Sequence, residues 1–230
     1  YVNNISMKKD NKDLTLKASM RIHALEKITD PVVMETHGGW GRLFLRCYWD
    51  LKQGIVLEKD REKSSCLAKQ RPSWSVYQCD STKAISAGLG SHLAVNFLDV
   101  DPYGDPWPTL EAFFESERPR PPKLMICVTD GLRQKLKMNG GWTTKSMASV
   151  VIRLGNNELY RNYLAICEEL LREKGDQGGY TLISFFGYYC GHAKQMTHYA
   201  AGFTRQNSND VGESSSDFHI PKEEKTEDRA

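Results

Sequence analysis

The sequence predicts an α/β chain: a mostly parallel seven-stranded sheet with helices on both faces, closed by a C-terminal antiparallel strand pair. Three observations carry that reading. Four short apolar segments, VVME, GIVLE, WSVYQCD and AVNFLDVD, end in acids at Glu35, Glu58, Asp80 and Asp101, at steps of 23, 22 and 21 residues. These strands are apolar throughout rather than alternating, the pattern of a parallel sheet covered on both faces, and helix-like segments lie between them. The last two strand-like runs, YTLISFFGYYCG and MTHYAAGFTR, are separated by only a few polar residues. Parallel neighbours need a dozen or more connecting residues, so these two are expected to pair antiparallel.

Each element follows in order. Residues 1–13 are polar and expected to be loose, whereas residues 14–28 place Leu16, Met20 and Leu25 near helical spacing. RLFLRCYWDL, KSSCLAKQR and KAISAGLGSHL suit crossover helices between the first four strands. PTLEAFFESER is expected to be a helix, KLMICVTD a fifth strand, and the stretch around ELYRNYLAICEELLREKG a long helix. Beyond Gln206 the composition turns to Ser, Asn, Glu and Lys with one aromatic residue, Phe218, which predicts disorder. At roughly 150 residues per domain, 230 residues favour one domain.

The net charge of +2 is unevenly spread. Residues 207–230 hold seven acids and three bases, net −4, which leaves +6 on residues 1–206. Such a body permits a polyanionic partner without requiring one. Six scattered cysteines form no CxxC pair, which excludes zinc-ribbon and thioredoxin-type chemistry and suggests a reduced, cytoplasmic setting. The longest apolar runs, such as 182–189, fall far short of the ~20 residues that cross a bilayer, and the N-terminus has no apolar signal region. A first residue other than Met suggests a trimmed or partial chain.

In an open parallel sheet the ligand sits beyond the carboxyl ends of the strands. Glu35, Glu58, Asp80 and either Asp99 or Asp101 are therefore expected to line the site. The first turn, E-T-H-G-G-W-G-R, supplies Gly38, Gly39 and Gly41 for close backbone approach. Glu58 follows Glu35 by 23 residues, near the ~20 at which a carboxylate accepts both ribose hydroxyls. GGWG is not GxGxxG, and an acid opening the loop would repel pyrophosphate. A cationic nucleoside without phosphate, S-adenosylmethionine, fits better: Glu35 toward its amino group, Glu58 on the ribose with Lys59 beside it, and Asp80 with Ser81 on the adenine edge. His37 is grouped with this loop, its ring expected to hydrogen-bond a backbone group in the turn. Asp99, on the same side of its strand as Asp101, is grouped with the cofactor residues, and which of the two acids is catalytic stays open.

At these residues the chain resembles the class I S-adenosylmethionine-dependent methyltransferases: E-x-H-G-G-x-G, an acid after the second strand, D-S after the third and D-P-Y-G after the fourth. The resemblance covers about residues 30–206, and implies a flexible stretch 1–13, a single Rossmann-like domain over 14–206 and an acidic tail over 207–230. L-D-V-D-P-Y-G-D-P is similar to the D-P-Y/F-G-S-P segment of tRNA guanine-N2 dimethyltransferases, and V-T-D at 128–130 is similar to a stretch that follows it there. The same segment is a cousin of the D-P-P-Y motif of amino-methyltransferases of nucleic acids. Gly104 departs from that motif, which has an aromatic residue there, and 230 residues leave no room for the large C-terminal domain of the tRNA enzymes.

The resemblance implies methyl transfer to an exocyclic amine of a tRNA or RNA guanine or a DNA adenine or cytosine, without a metal. Such a displacement is mostly a matter of aiming the amine lone pair. Asp101 and the Pro102 turn would accept the amine hydrogens, and Tyr103 would stack on the base. Trp107, Arg133 and Lys135 are further substrate-binding candidates, the last two within the basic run 133–137, and Lys17 and Arg21 are weaker phosphate-contact candidates. Cys190, His192 and His198 match no metal-ligand spacing. A protein or small-molecule acceptor, an NAD-dependent enzyme and a non-catalytic module that kept the fold are the competing readings. A partner subunit or a homo-oligomer would supply substrate reading that 230 residues do not.

Overall fold

The computed structural model describes residues 12–102, 104–138 and 145–206. Helix α1 (Lys12–Leu25) leads into β1 (Val33–Glu35), a five-residue π-helical turn (Phe44–Tyr48), β2 (Gly54–Glu58), α2 (Arg61–Gln70), β3 (Ser75–Gln78), α3 (Ser81–Ser86) and β4 (Phe97–Val100). Then follow α4 (Trp107–Glu115), β5 (Lys123–Asp130), α5 (Leu132–Lys137), α6 (Lys145–Leu154), α7 (Asn156–Arg161), α8 (Tyr163–Gln177), β6 (Tyr180–Cys190), a short 3-10 turn and β7 (Met196–Arg205). The sheet order is β3-β2-β1-β4-β5-β7-β6. The first five strands run parallel, while β7 pairs antiparallel with both β5 and β6, as the short connection dictates.

Strand alternation sorts the core into two layers. On one face Phe97, Met125, Cys127 and Ala200 pack with Ala18 and Met20 of α1, Phe44 and Tyr48 of the π turn, and Leu67 of α2. On the other, Leu98, Val100, Ile126, Val128 and Phe203 pack under α3, α4 and α8. Both faces of the central strands are covered, and this is why they read as unbroken apolar runs. A fully buried Leu, Ile or Phe contributes roughly 1.5–3 kcal/mol each.

The helices depart from expectation in detail. The segment RLFLRCYWDL forms a short helical stretch that winds as a π turn over 44–48, with Phe44, Cys47 and Tyr48 buried. The long helix around 158–175 is split at Asn162 into α7 and α8. Residues 133–137 lie in helix α5 rather than a solvated loop, and α6 was not legible as an element. Of the N-terminus expected to be loose, 1–13, the last two residues already belong to α1, while residues 1–11 and the acidic tail (207–230) lie outside the described residues. Among the described residues no helix is long and apolar enough to cross a membrane. None of the six cysteines is in a disulfide.

The carboxyl end of β5 holds a buried acid without a cation. Asp130 accepts from the Leu132 amide at 2.8 Å and from the hydroxyls of Tyr163 and Tyr199 at 2.8 and 3.2 Å. Burial pushes its carboxyl up to about 7. The folded-state value lies above that of an unfolded Asp, ~3.9, so protonation favours the folded chain. That contribution is complete below about pH 4 and is lost as the pH rises through about 7. Calorimetric melting at pH 5, 6, 7 and 8 tests this: the melting temperature of Asp130→Asn relative to the wild type climbs with pH and levels off above 7, whereas a pH-independent difference contradicts it.

Candidate functional site

The parallel strands bring their acid-bearing ends to one edge, and the side chains there divide into two groups. Glu35 and Asp99 are register partners on adjacent strands, so two carboxylates lie side by side. Like charges placed that way are destabilising unless neutralised. Each is neutralised from a different helix. Arg71, just past α2, pairs with Glu35, and neither side chain has more than 1% exposure. The Arg71 guanidinium also lies over the rings of Phe44 (4.0 Å) and Trp74 (5.2 Å). Arg21 of α1 grips Asp99 with two hydrogen bonds, Nε to Oδ2 at 2.7 Å and Nη2 to Oδ1 at 2.6 Å, and the Tyr48 hydroxyl donates to Oδ2 at 2.6 Å.

Three expectations are corrected by that arrangement. Glu35 does not open into the loop, because its carboxylate turns into the α2 face to meet Arg71. Asp99 has no exposed surface and three donors on its carboxylate, so it is a structural acid. Arg21 is consumed by the same pair and is no phosphate contact.

One turn earlier on α1, Lys17 lies 2.5 and 2.6 Å from the two oxygens of Asp101. This pair is about one-sixth exposed. Burial acts to raise the Asp101 carboxyl, but the Lys17 and Arg21 charges outweigh it and hold the group below the usual carboxylate range. Pro102 is buried; Tyr103, expected to stack on a base, lies outside the described residues. The loop is tied down beyond it, since Gly131 N donates to Gly104 O at 2.7 Å. Trp107 is fully buried in the core under α4 and cannot meet a substrate. Arg133 is likewise committed: it donates to the carbonyls of Tyr160 and Lys194 and stacks on Tyr160 and Tyr189 at 3.9 and 4.1 Å. Lys135 is only half-buried at this edge, and its charge acts on Asp105.

The second group surrounds a cleft lined by His37, Glu58, Lys59, Asp80, Ser81, Thr82, Asp105, Pro108 and Thr109. Glu58 is fixed from both sides: Gly39 N donates to Oε2 and Asp60 N to Oε1, each at 2.8 Å. A carboxylate oxygen offers about two acceptor sites, so each keeps one for a ligand hydroxyl. Gly39 sits at φ +55°, a conformation that turns its amide toward Glu58 and that a side chain would resist. A Cβ on Gly38 would lie 2.5 Å from Val56 Cγ2, so the loop can hug β2 only as glycine.

His37 exchanges a hydrogen bond with the Thr36 hydroxyl at 2.8 Å rather than with backbone, and burial lowers its pKa, which keeps the ring neutral. Asp80 caps α3 by accepting from Lys83 N at 3.2 Å and faces Lys59 at 3.6 Å. The backbone amide of Lys83 is the main influence holding its carboxyl below the usual range. Ser81 donates to the Thr36 carbonyl and ties α3 to the end of β1. Thr82 and Thr109 share a hydrogen bond at 3.0 Å across the cleft wall. Sequence reasoning missed Asp105, Thr82 and Thr109, although Asp105 sits inside the quoted D-P-Y-G-D-P. Among the described residues no three His, Cys, Asp or Glu gather as a metal site.

No protein-family model matches the chain. Over 102 residues it is 28% identical to a tRNA (guanine(26)-N(2))-dimethyltransferase of Thermoplasma volcanium, a match spanning 44% of this chain and 30% of that protein. Trm1 from Pyrococcus horikoshii, solved with S-adenosyl-L-methionine, superposes with a TM-score of 0.54 at 10% identity, over 84% of this chain and 55% of that one. TYW2 of M. jannaschii, in complex with AdoMet, gives 0.51 at 13% identity, over 87% and 79%. The chain has the class I methyltransferase fold. Within that fold it spans about a third of the curated relative and just over half of the Trm1 chain.

The two cations of α1 differ in burial, and stability measurements separate them. Arg21→Leu strands Asp99 in the core and lowers unfolding stability in urea by about 3–5 kcal/mol. Lys17→Ala, at the partly exposed pair, lowers it by about 1 kcal/mol or less. Equal losses would mean that the Arg21–Asp99 pair does not anchor the helix.

Proposed function

We propose that this chain is an S-adenosylmethionine-dependent methyltransferase that methylates an exocyclic amine of a nucleic-acid base, with RNA guanine the favoured acceptor. The carrying observation is Glu58, whose two oxygens are locked by the glycine loop and the Asp60 amide, with an acceptor site left on each. That is what a vicinal pair of ribose hydroxyls requires, and it is the point at which the residues fit the cofactor. Gly38, Gly39 and Gly41 would border its amino-acid portion, with the neutral His37 beside them, and Lys59, Asp80 and Ser81 would border the base. The guanine preference rests on the D-P-Y-G segment together with the likeness to the Thermoplasma tRNA enzyme.

When bound, the cofactor supplies an electrophilic methyl group that needs no metal. The protein's task is then alignment. Asp101, kept ionised by Lys17, is placed to accept hydrogens from the acceptor amine and so aim its lone pair. Lys17 already holds both carboxylate oxygens, so the incoming amine has to share or displace that ammonium. Tyr103 would stack on the base, a contribution of about 1–3 kcal/mol. The +6 body favours a polyanion, and binding should weaken with salt.

Calorimetry with S-adenosylhomocysteine and transfer of labelled methyl groups to mixed tRNA test the reading together. Glu58→Ala weakens S-adenosylhomocysteine about tenfold or more, because a hydrogen bond to a charged group contributes about 1.5–3 kcal/mol. Asp101→Ala leaves that affinity near wild type while transfer falls strongly, the signature of a contact made for alignment. Undetectable cofactor binding by the wild type sinks the assignment, and an Asp101→Ala protein that transfers at the normal rate removes Asp101 from it.

A further inference from the structure

The cleft beyond Glu58 holds an acid whose hydrogen bonding is half complete. Asp105 Oδ1 accepts from the Trp107 amide at 3.0 Å and starts α4. Its other oxygen, Oδ2, is buried and has no hydrogen-bond partner. A sealed acceptor without a donor is destabilising, and such a group in a native fold calls for a reason. Burial also pushes this carboxyl up to about 6, so it is maintained against its own environment. In the quoted tRNA-enzyme segment D-P-Y/F-G-S-P the same place is a serine, so the carboxylate is a departure of this chain.

The neighbours say what kind of donor is missing. Asp80, the acid first matched to the adenine edge, already has its carboxylate on the Lys83 amide and against Lys59. Ser81 has spent its hydroxyl hydrogen on the Thr36 carbonyl, and Thr82 and Thr109 are bonded to each other. Among the described residues that line the cleft, Asp105 Oδ2 is the buried side-chain acceptor that no donor reaches. A base anchored through its ribose on Glu58 would meet the cleft residues Asp80, Thr82, Pro108, Thr109 and Asp105. We propose that Asp105 reads the exocyclic amine of the cofactor's adenine, and so makes the site select an amino purine over an oxo purine. This rests on the cofactor reading above. Contact with the amine requires that Oδ2 be uncovered on binding, and the N–H would then supply the missing donor. A hypoxanthine ring presents a carbonyl oxygen at that place and leaves two acceptors facing each other.

The test is calorimetric titration of S-adenosylhomocysteine and S-inosylhomocysteine into the wild type, Asp105→Ser and Asp105→Asn. Serine keeps an oxygen to cap Trp107 N, and asparagine is isosteric, so at least one variant retains the fold; thermal melting verifies it. The wild type binds the adenine compound about tenfold or more tightly than the hypoxanthine one. Asp105→Ser loses that preference by weakening the adenine compound alone. Asp105→Asn, whose amide donates to a carbonyl, shifts the preference toward hypoxanthine. Glu58→Ala, by contrast, weakens both compounds equally. An identical ratio of affinities in all three proteins overturns the role of Asp105 while leaving the cofactor reading intact. A wild type that binds neither compound overturns the cofactor reading and this inference with it.

Discussion

The bidentate grip of Arg21 on Asp99, with no solvent on either side chain, is the interaction on which the rest of the site depends. Taking both charges out of water is expensive, and it is tolerated because three donors, two guanidinium nitrogens and the Tyr48 hydroxyl, converge on one carboxylate. The Arg21 guanidinium also reaches back to the Lys17 carbonyl at 3.2 Å. With Arg21 fixed, Lys17 one turn earlier has little choice but to fall on Asp101, two residues further along the strand. Helical and strand periodicity thus meet as a matched set: cations at i and i+4 on α1, acids at j and j+2 on β4.

The same logic explains how acids crowded at one sheet edge acquire different tasks. Glu35 and Asp99 are neighbours across two strands and would repel if both were bare, so each is enclosed with its own arginine. Glu58 lies on the next strand and is held by backbone amides instead, which leave it negative and open on one side. Asp80 has a capping role at a more exposed edge strand. Of these four carboxylates, Glu35 and Asp99 hold the scaffold, and Glu58 and Asp80 border the cleft.

Much of the architecture was legible because it rests on local pattern. Apolar runs punctuated by acids located β1 to β5, and the short polar link between the last two runs dictated their antiparallel pairing. Lengths of helices were less legible: Phe44, Cys47 and Tyr48 bury at the i, i+3, i+4 spacing of an ordinary helix, so nothing in the pattern marks the wider π winding. At the site, spacing could place acids at strand ends but not say which way they turn. Glu35 and Asp99 looked like ligand groups because their partners, Arg71 and Arg21, are 36 and 78 residues away in the chain. Arg133 and Trp107 looked exposed for the same reason: a basic run and a Pro-rich turn carry no mark of the tyrosines and core that enclose them.

Helix α1 precedes the first strand and is not part of the repeating strand–helix unit, yet it carries the counter-charge for a fully buried acid of the sheet, Asp99. The domain boundary in the physical sense therefore does not coincide with the boundary of the repeat. A fragment cut at β1 would retain all seven strands and nearly every residue of the cleft, but would carry an uncompensated carboxylate at its centre and a bare apolar stripe where Ala18, Met20 and Ala24 had packed. Any excision, fusion or circular permutation of this chain has to keep the residues from α1 onward, because the helix behaves as an internal counter-ion for the sheet as well as a cover.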